Sequence, residues 1–207
     1  LNRGKSIGSG KGNMDNLLIN EENYKIFYET CTDLSKRVFE DYTSCNANIE
    51  EIDRELIIKS VLKNQMSFIL LSCSDYNIIF KSMFSISSLK DKLSSFMSLP
   101  MDKVTDSLVN DYMNEYCNLF AGNLKKILQF NFKSDVGISI PLISSGFEAF
   151  YFGISKRNTI YFYWKIQEST FDIICSLEFE SLKGFELIKL NELNTEFEKK
   201  ESDFFNF

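Results

Sequence analysis

Apolar residues recur at intervals of three and four in three stretches of the chain, and this spacing predicts three helices. The first helix covers residues 23–42, the second covers 87–97, and the third runs from about 105 to about 130. Asp102 or Thr105 can cap the third helix, because a side-chain oxygen there accepts from the first free backbone N–H groups. Two of the three predicted helices are therefore long.

The remaining apolar positions form short runs, which predict strands. The predicted strands cover residues 56–62, 66–73, 78–84, 136–143, 147–154, 159–166 and 171–179. Polar breaks separate the first three runs, as in an antiparallel meander. The last run alternates apolar and polar residues, which predicts a strand buried on one face only. The sequence therefore predicts an α+β domain with antiparallel strands.

Length and composition favour one domain with unstructured ends. The chain has 207 residues, of which 44% are hydrophobic, so it can bury a substantial core. Residues 1–20 are rich in glycine and polar side chains, and we expect them to be disordered or tag-derived. We expect the folded domain to cover 21–190 and an acidic, phenylalanine-containing tail to cover 191–207.

Charge and hydropathy exclude two classes of partner. The net charge is −6, and no basic stripe is present to neutralise phosphates, so we do not expect nucleic-acid binding. No apolar run reaches the length of a membrane span, and the first residues lack the apolar segment of a secretory signal. We therefore expect a cytoplasmic protein without membrane contact.

The chain contains no histidine, which removes several kinds of active site. No imidazole is available as general base for a serine or cysteine nucleophile, and histidine-containing zinc sites are excluded. The five cysteines are dispersed, which is typical of reduced thiols and not of a disulfide framework. We expect no metal site, and we do not expect Cys117 to be a nucleophile, because no nearby group would lower its pKa.

The candidate functional residues form one polar stripe on the long third helix. Asp111, Glu115, Asn118 and Gly122 follow one another at steps of four, three and four, so they lie on one helical face. The opposite face is apolar and can lie on a core. A carboxylate and a carboxamide one turn apart, followed by a glycine, predict a surface that contacts another molecule.

This stripe resembles the motif of the chemotaxis phosphatases called CheC and CheX. Their motif consists of Asp or Ser, three residues, Glu, two residues, Asn, twenty-two residues and Pro, and Asp111, Glu115, Asn118 and Pro141 match it. The chain has only two prolines, which gives this spacing weight. From average residue usage, the full pattern arises by chance in about one chain in a few hundred.

The resemblance implies a fold and an activity. It implies an antiparallel sheet covered by long helices, and hydrolysis of the aspartyl phosphate of a CheY-like response regulator. Asn118 would position the attacking water, and Glu115 would pair with a lysine of the regulator. Asp111 would support the helix or the rim of the site, and Gly122 would leave room for the partner. Pro141 and Gly146 would be structural.

The resemblance also implies cofactor, oligomeric state and number of sites. The regulator would carry Mg²⁺, and this chain would bind no cofactor. A homodimer is expected, with the strands after residue 136 as its edge. In the two-site CheC branch, the first helix carries a second Glu-x-x-Asn pair, but here Thr32 follows Glu29 in the place of the asparagine. One site per chain, as in the CheX branch, is therefore expected.

A second interpretation stays open from the sequence. The chain could be a non-catalytic docking domain of a two-component or chemotaxis pathway, with the same helix surface used for binding alone. The two interpretations differ in their expectation for Asn118→Ala, which would stop turnover in the first and leave binding and signalling intact in the second.

Overall fold

The computed structural model describes residues 21–61, 64–145, 159–168 and 171–182. The helices are α1 (Glu21–Thr43), α2 (Arg54–Val61), α3 (Ile86–Phe96) and α4 (Asp106–Phe132), with a 3-10 turn at Met101–Lys103. The strands are β1 (Asn48–Glu51), β2 (Gln65–Ser72), β3 (Tyr76–Phe84), β4 (Gly137–Ile138), β5 (Leu142–Ser145), β6 (Thr159–Glu168) and β7 (Phe171–Ser181). The predicted α+β class is confirmed.

The strands form one antiparallel sheet. Their order is β1-β6-β7-β3-β2-β4, and β5 also pairs with β2. In the centre of the sheet, Phe80 of β3 pairs with Leu177 of β7, and Trp164 of β6 pairs with Cys175 of β7. The long strands β3, β6 and β7 therefore form the middle of the sheet.

Three helices, α1, α3 and α4, cover one face of this sheet and share its main hydrophobic core. The middle of the core is aromatic. Phe80 stacks on Phe120 of α4 with ring centroids 3.9 Å apart, and its centroid lies 5.9 Å from that of Trp164. Because such pairs add to the burial of apolar area, this contact fixes α4 firmly against the sheet.

The other face of the sheet is mixed in character. Met66, Met83 and Ile174 form a small buried cluster, against which Ile57 of α2 packs. Lys81 of β3 and Glu178 of β7 form an ion pair, with side chains only 7% and 12% exposed. A polar network and a small apolar cluster therefore share this face.

The three predicted helices are present with nearly the predicted bounds. Thr105 caps α4, since its Oγ1 accepts from the N–H of Leu108 at 3.2 Å. Asp102 lies instead in the 3-10 turn that precedes it. Ser85 caps α3 in the same way, accepting from the N–H of Ser88.

The prediction of a strand at 56–62 was wrong, because residues 56–61 lie in helix α2. The carboxylate of Asp53 accepts from the N–H of Leu56 at 2.9 Å, which caps α2. Glu55 and Lys59 then form an ion pair one turn apart. The cap and the ion pair favour a helix in a segment whose apolar run alone predicted a strand. Strand β1, immediately before the helix, was not predicted.

The predicted strand over 136–143 is divided into β4 and β5. Pro141 has no N–H to donate, so the ladder with β2 is interrupted between the two strands. Ser139 bridges the gap, because its N–H donates to the carbonyl of Leu70 and its Oγ accepts from the N–H of Leu70.

Strand β7 is buried more deeply than its alternating pattern predicts. Ser176 and Ile174 point away from the helices yet are both buried, and Glu178 is held in its ion pair with Lys81. The predicted strand over 147–154 lies outside the described residues, as do the N-terminal segment 1–20 and the tail 191–207. No described helix is long and apolar enough to cross a membrane.

Candidate functional site

The four residues of the predicted stripe lie on the outward side of α4. Asp111 and Glu115 are exposed, and Asn118 and Gly122 are half-buried. The opposite side of the helix is buried through Val109, Tyr112, Met113, Tyr116, Cys117, Phe120, Ala121, Leu124 and Leu128. The predicted division of this helix into a polar and an apolar face is therefore what the structure shows.

Side chains of α4 form three hydrogen bonds to other elements, through Tyr116, Asn114 and Cys117, and these bonds fix the rotation of the helix about its axis. The hydroxyl of Tyr116 and Ser35 Oγ of α1 lie 2.7 Å apart, and Trp164 Nε1 donates to the same Oγ at 2.9 Å. Ser67 Oγ of β2 donates to Oδ1 of Asn114 at 2.7 Å. Buried polar groups bonded in this way specify one packing, so the outward direction of the stripe is set.

The third bond involves the thiol of Cys117, which points inward. Its Sγ lies 3.2 Å from Oγ of Ser82 on β3. Burial raises the pKa of this thiol to about 11, against the lowering effect of its hydrogen bonds with Ser67 and Ser82. A neutral, buried thiol is a poor nucleophile, which agrees with the expectation from the sequence.

Glu115 and Asn118 lie side by side and are bonded to each other. Nδ2 of Asn118 donates to Oε2 of Glu115 at 3.3 Å. An ionised carboxylate can only accept, so the amide turns its NH₂ toward Glu115 and its oxygen the other way. That oxygen has no hydrogen-bond partner within the described part of the chain. It is therefore free to accept from a water molecule.

The stripe also carries two negative charges that no ion pair among the described residues neutralises. Asp111 and Glu115 are one turn apart, and neither forms an ion pair with any residue in the described ranges. Like charges at this spacing destabilise a helix by a few tenths of a kcal/mol. The arrangement is suited to a cation supplied from outside.

Gly122 leaves open space beside the pair. Apart from the backbone of α4 itself, a Cβ built on this residue would meet no atom of the described residues within 4 Å. Glycine in a helix interior costs about 0.5–1 kcal/mol relative to alanine, and no packing constraint among the described residues accounts for Gly122. The missing side chain therefore leaves the backbone of α4 accessible next to Asn118.

Tyr42, at the end of α1, is a site neighbour that the sequence did not reveal. Its ring stacks on that of Tyr112, with centroids 4.5 Å apart and planes at 26°. Burial, and then the charge of Glu115, raise the pKa of Tyr42 to about 12. Its position depends on how α1 and α4 pack, which no local pattern indicates.

Of the two residues predicted to be structural, Pro141 lies among the described residues and Gly146 does not. Pro141 is half-buried between β4 and β5, and no described hydrogen bond joins it to Glu115 or Asn118. Its assignment as a structural residue stays a prediction. Gly146 lies outside the described residues, so its predicted role stays a prediction.

The first helix carries no second carboxylate–carboxamide pair at the predicted place. Thr32 is buried, and its hydroxyl donates to the carbonyls of Tyr28 and Glu29. Glu29 is exposed and pairs with Lys25. Within the described residues, no group of three or more cysteine and acidic side chains could hold a metal ion.

The sequence and structural comparisons differ in what they detect. No family model matches the sequence, and no match was found among curated proteins. The fold, in contrast, is that of the CheX and CheC-like chemotaxis proteins. A chain of the CheX–CheY–BeF₃–Mg²⁺ complex from Borrelia burgdorferi matches with a TM-score of 0.54 and 14% identity, covering 73% of this chain and 96% of that one.

Two further solved structures share this fold. A CheC-like superfamily protein from Shewanella sp. PV-4 matches with a TM-score of 0.51 and 13% identity, covering 78% of this chain and 99% of its own. The FliM middle domain from H. pylori matches with a TM-score of 0.51 and 9% identity, covering 78% and 94%. The resemblance deduced from the motif is thus confirmed at the level of the fold.

Proposed function

We propose that this protein is a phosphatase that hydrolyses the aspartyl phosphate of a CheY-like response regulator. The observation that carries the proposal is the Glu115–Asn118 pair, hydrogen-bonded and facing solvent on a helix held rigidly by the core. Two further points support it. The motif spacing to Pro141 matches the CheX pattern, and the fold is shared with a CheX chain crystallised with CheY.

Asn118 positions the attacking water in this proposal. An acyl phosphate is already reactive, so the main requirement is a water molecule in line with the phosphorus. The free carboxamide oxygen of Asn118 accepts from that water, while its NH₂ is held by Glu115. A carboxamide keeps the same charge across the pH range, which suits a group that orients without taking a proton.

Glu115 binds the regulator in this proposal. Its carboxylate has no ion-pair partner among the described residues. In a complex with the regulator, it pairs with the active-site lysine by a charge-assisted hydrogen bond. The Mg²⁺ ion is bound by the regulator and neutralises the phosphoryl group. Asp111 supports the acidic rim, and Gly122 gives the partner close access to the helix.

A pair of variants separates this activity from docking alone. A panel of CheY-type regulators, phosphorylated with a small-molecule phosphodonor, is mixed with wild type, Asn118→Ala and Gly122→Trp. We expect Asn118→Ala to bind normally but to lower the catalysed rate by about 100-fold. Gly122→Trp should lose both binding and turnover, because the indole fills the space that the partner needs.

The opposite outcome would favour the docking interpretation. If wild type binds a regulator without accelerating loss of its phosphoryl group, and Asn118→Ala binds equally well, the helix is a recognition surface only. Circular dichroism of each variant shows whether a loss of binding or turnover comes from misfolding.

The proposal includes a cytoplasmic homodimer. Leu70, Ile138, Ile140 and Leu142 are exposed along the β4–β5 edge, and Ile140 is 75% exposed. Such a row of apolar side chains at a sheet edge favours pairing with a second copy. Analytical ultracentrifugation should give a dimer for wild type and a monomer for Ile140→Lys, and a wild-type monomer at all concentrations would exclude this part.

A further inference from the structure

The acidic stripe has an aromatic border on one side. Tyr42 lies in the last turn of α1 and Tyr112 in α4, one turn before Glu115, and their rings are stacked at 4.5 Å. Tyr112 is only 8% exposed, whereas Tyr42 is half-buried. Tyr42 therefore presents the accessible part of this border.

Helix geometry brings Glu115 toward this border. Side chains on an α-helix lean toward its N-terminus, so the turn that contains Tyr112 lies within reach of Glu115. Positions 112 and 115 are three residues apart and so are neighbours on the surface. The effect of Glu115 on the pKa of Tyr42 agrees with this closeness.

An aromatic ring beside an unpaired carboxylate is suited to one kind of group. The carboxylates of Glu115 and Asp111 attract a cation, and the ring of Tyr42 can stabilise the same cation through its π face. Neither a phosphate nor a carboxylate ligand would be favoured there, because the local charge is negative. An ammonium group on a partner satisfies both features.

We propose that Tyr42 forms, with Glu115, a two-sided recognition site for a lysine ammonium group of the partner protein. This inference rests on the proposed function, because it identifies that group with the active-site lysine of the CheY-like regulator. Tyr42 acts in binding, and Asn118 retains its role with the water. The ring, and not the hydroxyl, is the part of Tyr42 that the partner requires.

The test measures KM and kcat with the regulator that wild type dephosphorylates fastest, and binding to the same regulator loaded with BeF₃⁻ and Mg²⁺. We expect Tyr42→Leu to raise KM and Kd by about three- to tenfold, the range of a cation–π contact, with kcat changed less than twofold. Tyr42→Phe should stay within twofold of wild type. Tyr28→Leu is the matched control, because Tyr28 is a half-buried tyrosine fourteen positions earlier on the same helix.

A double-mutant cycle distinguishes recognition from a structural role. In a Glu115→Gln background the effect of Tyr42→Leu should fall below twofold, because the two residues bind one cation. An equal factor in both backgrounds would overturn the inference. Tyr42→Met keeps a large apolar side chain but has no π face, so it should behave as Tyr42→Leu. It replaces Tyr42→Leu in the test if that variant does not fold.

The inference and the proposed function fail in different ways. If wild type is active but Tyr42→Leu and Tyr42→Met match Tyr28→Leu, the inference is wrong and the phosphatase proposal stands. If Tyr42→Phe loses as much as Tyr42→Leu, the ring is not the recognition element, and the inference is also wrong. If wild type neither binds nor dephosphorylates any regulator, the proposed function itself fails.

Discussion

At the scale of single residues, two tyrosines of α4 have similar burial but opposite hydrogen bonding. The hydroxyl of Tyr116 is bonded to Ser35, whereas that of Tyr112 is buried without a partner among the described residues. A buried polar group without a partner costs about 1–3 kcal/mol, and a satisfied one contributes about 1 kcal/mol. The same substitution should therefore have opposite effects at the two positions.

We predict that Tyr116→Phe lowers the free energy of unfolding by about 1–2 kcal/mol, because it leaves Ser35 and Trp164 with an incomplete network. Tyr112→Phe should be neutral or stabilising. Urea unfolding monitored by circular dichroism measures both. Since the two variants have the same composition, each serves as the control for the other, and equal losses would refute the assignment of these bonds.

The sequence was informative about residues whose role depends on one helix. Asp111, Glu115, Asn118 and Gly122 share a face because of helical periodicity alone, so their outward direction could be predicted. Tyr42 could not, because its place beside Glu115 comes from the packing of α1 on α4. The bond between Ser67 and Asn114 could not be predicted either, since it joins residues 47 positions apart.

At the scale of elements, α4 carries the candidate site and has a glycine that packing against the described part of the chain does not require. We predict that Gly122→Ala raises the free energy of unfolding by about 0.5–1 kcal/mol, since the added methyl meets no atom and the unfolded chain loses freedom. This corresponds to an increase in Tm of a few degrees at most for a chain of this size. Differential scanning calorimetry gives the value.

The same variant should reduce turnover slightly, because the methyl group projects where the partner approaches. A destabilised Gly122→Ala would show that the helix surface is more crowded here than the structure indicates. Unchanged turnover together with higher stability would show that the partner does not come close to this residue.

The elements that could be predicted are those with local signals. Helices α1, α3 and α4 have regular periodicity, and α3 and α4 also have good caps. Helix α2 was mistaken for a strand because its apolar run is short, and only the cap at Asp53 and the Glu55–Lys59 pair indicate a helix. The interruption of the predicted strand over 136–143 at Pro141 was not predicted, because it depends on which strand lies alongside.

At the scale of the whole molecule, stability should be insensitive to pH near neutrality and fall in alkali. The chain has no histidine, so no side chain with an ordinary pKa titrates between about pH 5 and 8. Burial raises the pKa of Cys117 from 9.0 to about 11 and that of Tyr42 from 10.0 to about 12. Burial also raises the pKa values of Cys31 and Cys175.

A group whose pKa is raised by folding stabilises the native state, and this contribution is complete when the pH is below the pKa of the group in the unfolded chain. That contribution is lost as pH rises through the folded value, because the unfolded chain then releases protons more readily. For Cys117 the loss begins near pH 9 and continues to about 11, at up to about 1.4 kcal/mol per pH unit. Urea midpoints should be level from pH 6 to 8 and fall above 9, and a maximum above pH 9 would contradict the burial of these thiols.

The general fold could be inferred at this scale, because motif spacing and element order together resemble one family. The sequence does not indicate which polar side chains of the sheet come together on the face opposite the helices. Lys81 and Glu178 lie in predicted strands, but their pairing follows from the register of β3 with β7, which only the assembled sheet determines.

The most direct test of the phosphatase account is the rate at which a phosphorylated CheY-type regulator loses its phosphoryl group. Asn118→Ala is compared with wild type and with Asn131→Ala, which removes the same side chain thirteen positions later on α4. The account predicts acceleration by wild type and by Asn131→Ala, and a rate about 100-fold lower with Asn118→Ala. Equal acceleration by all three proteins, or none by wild type, would contradict it.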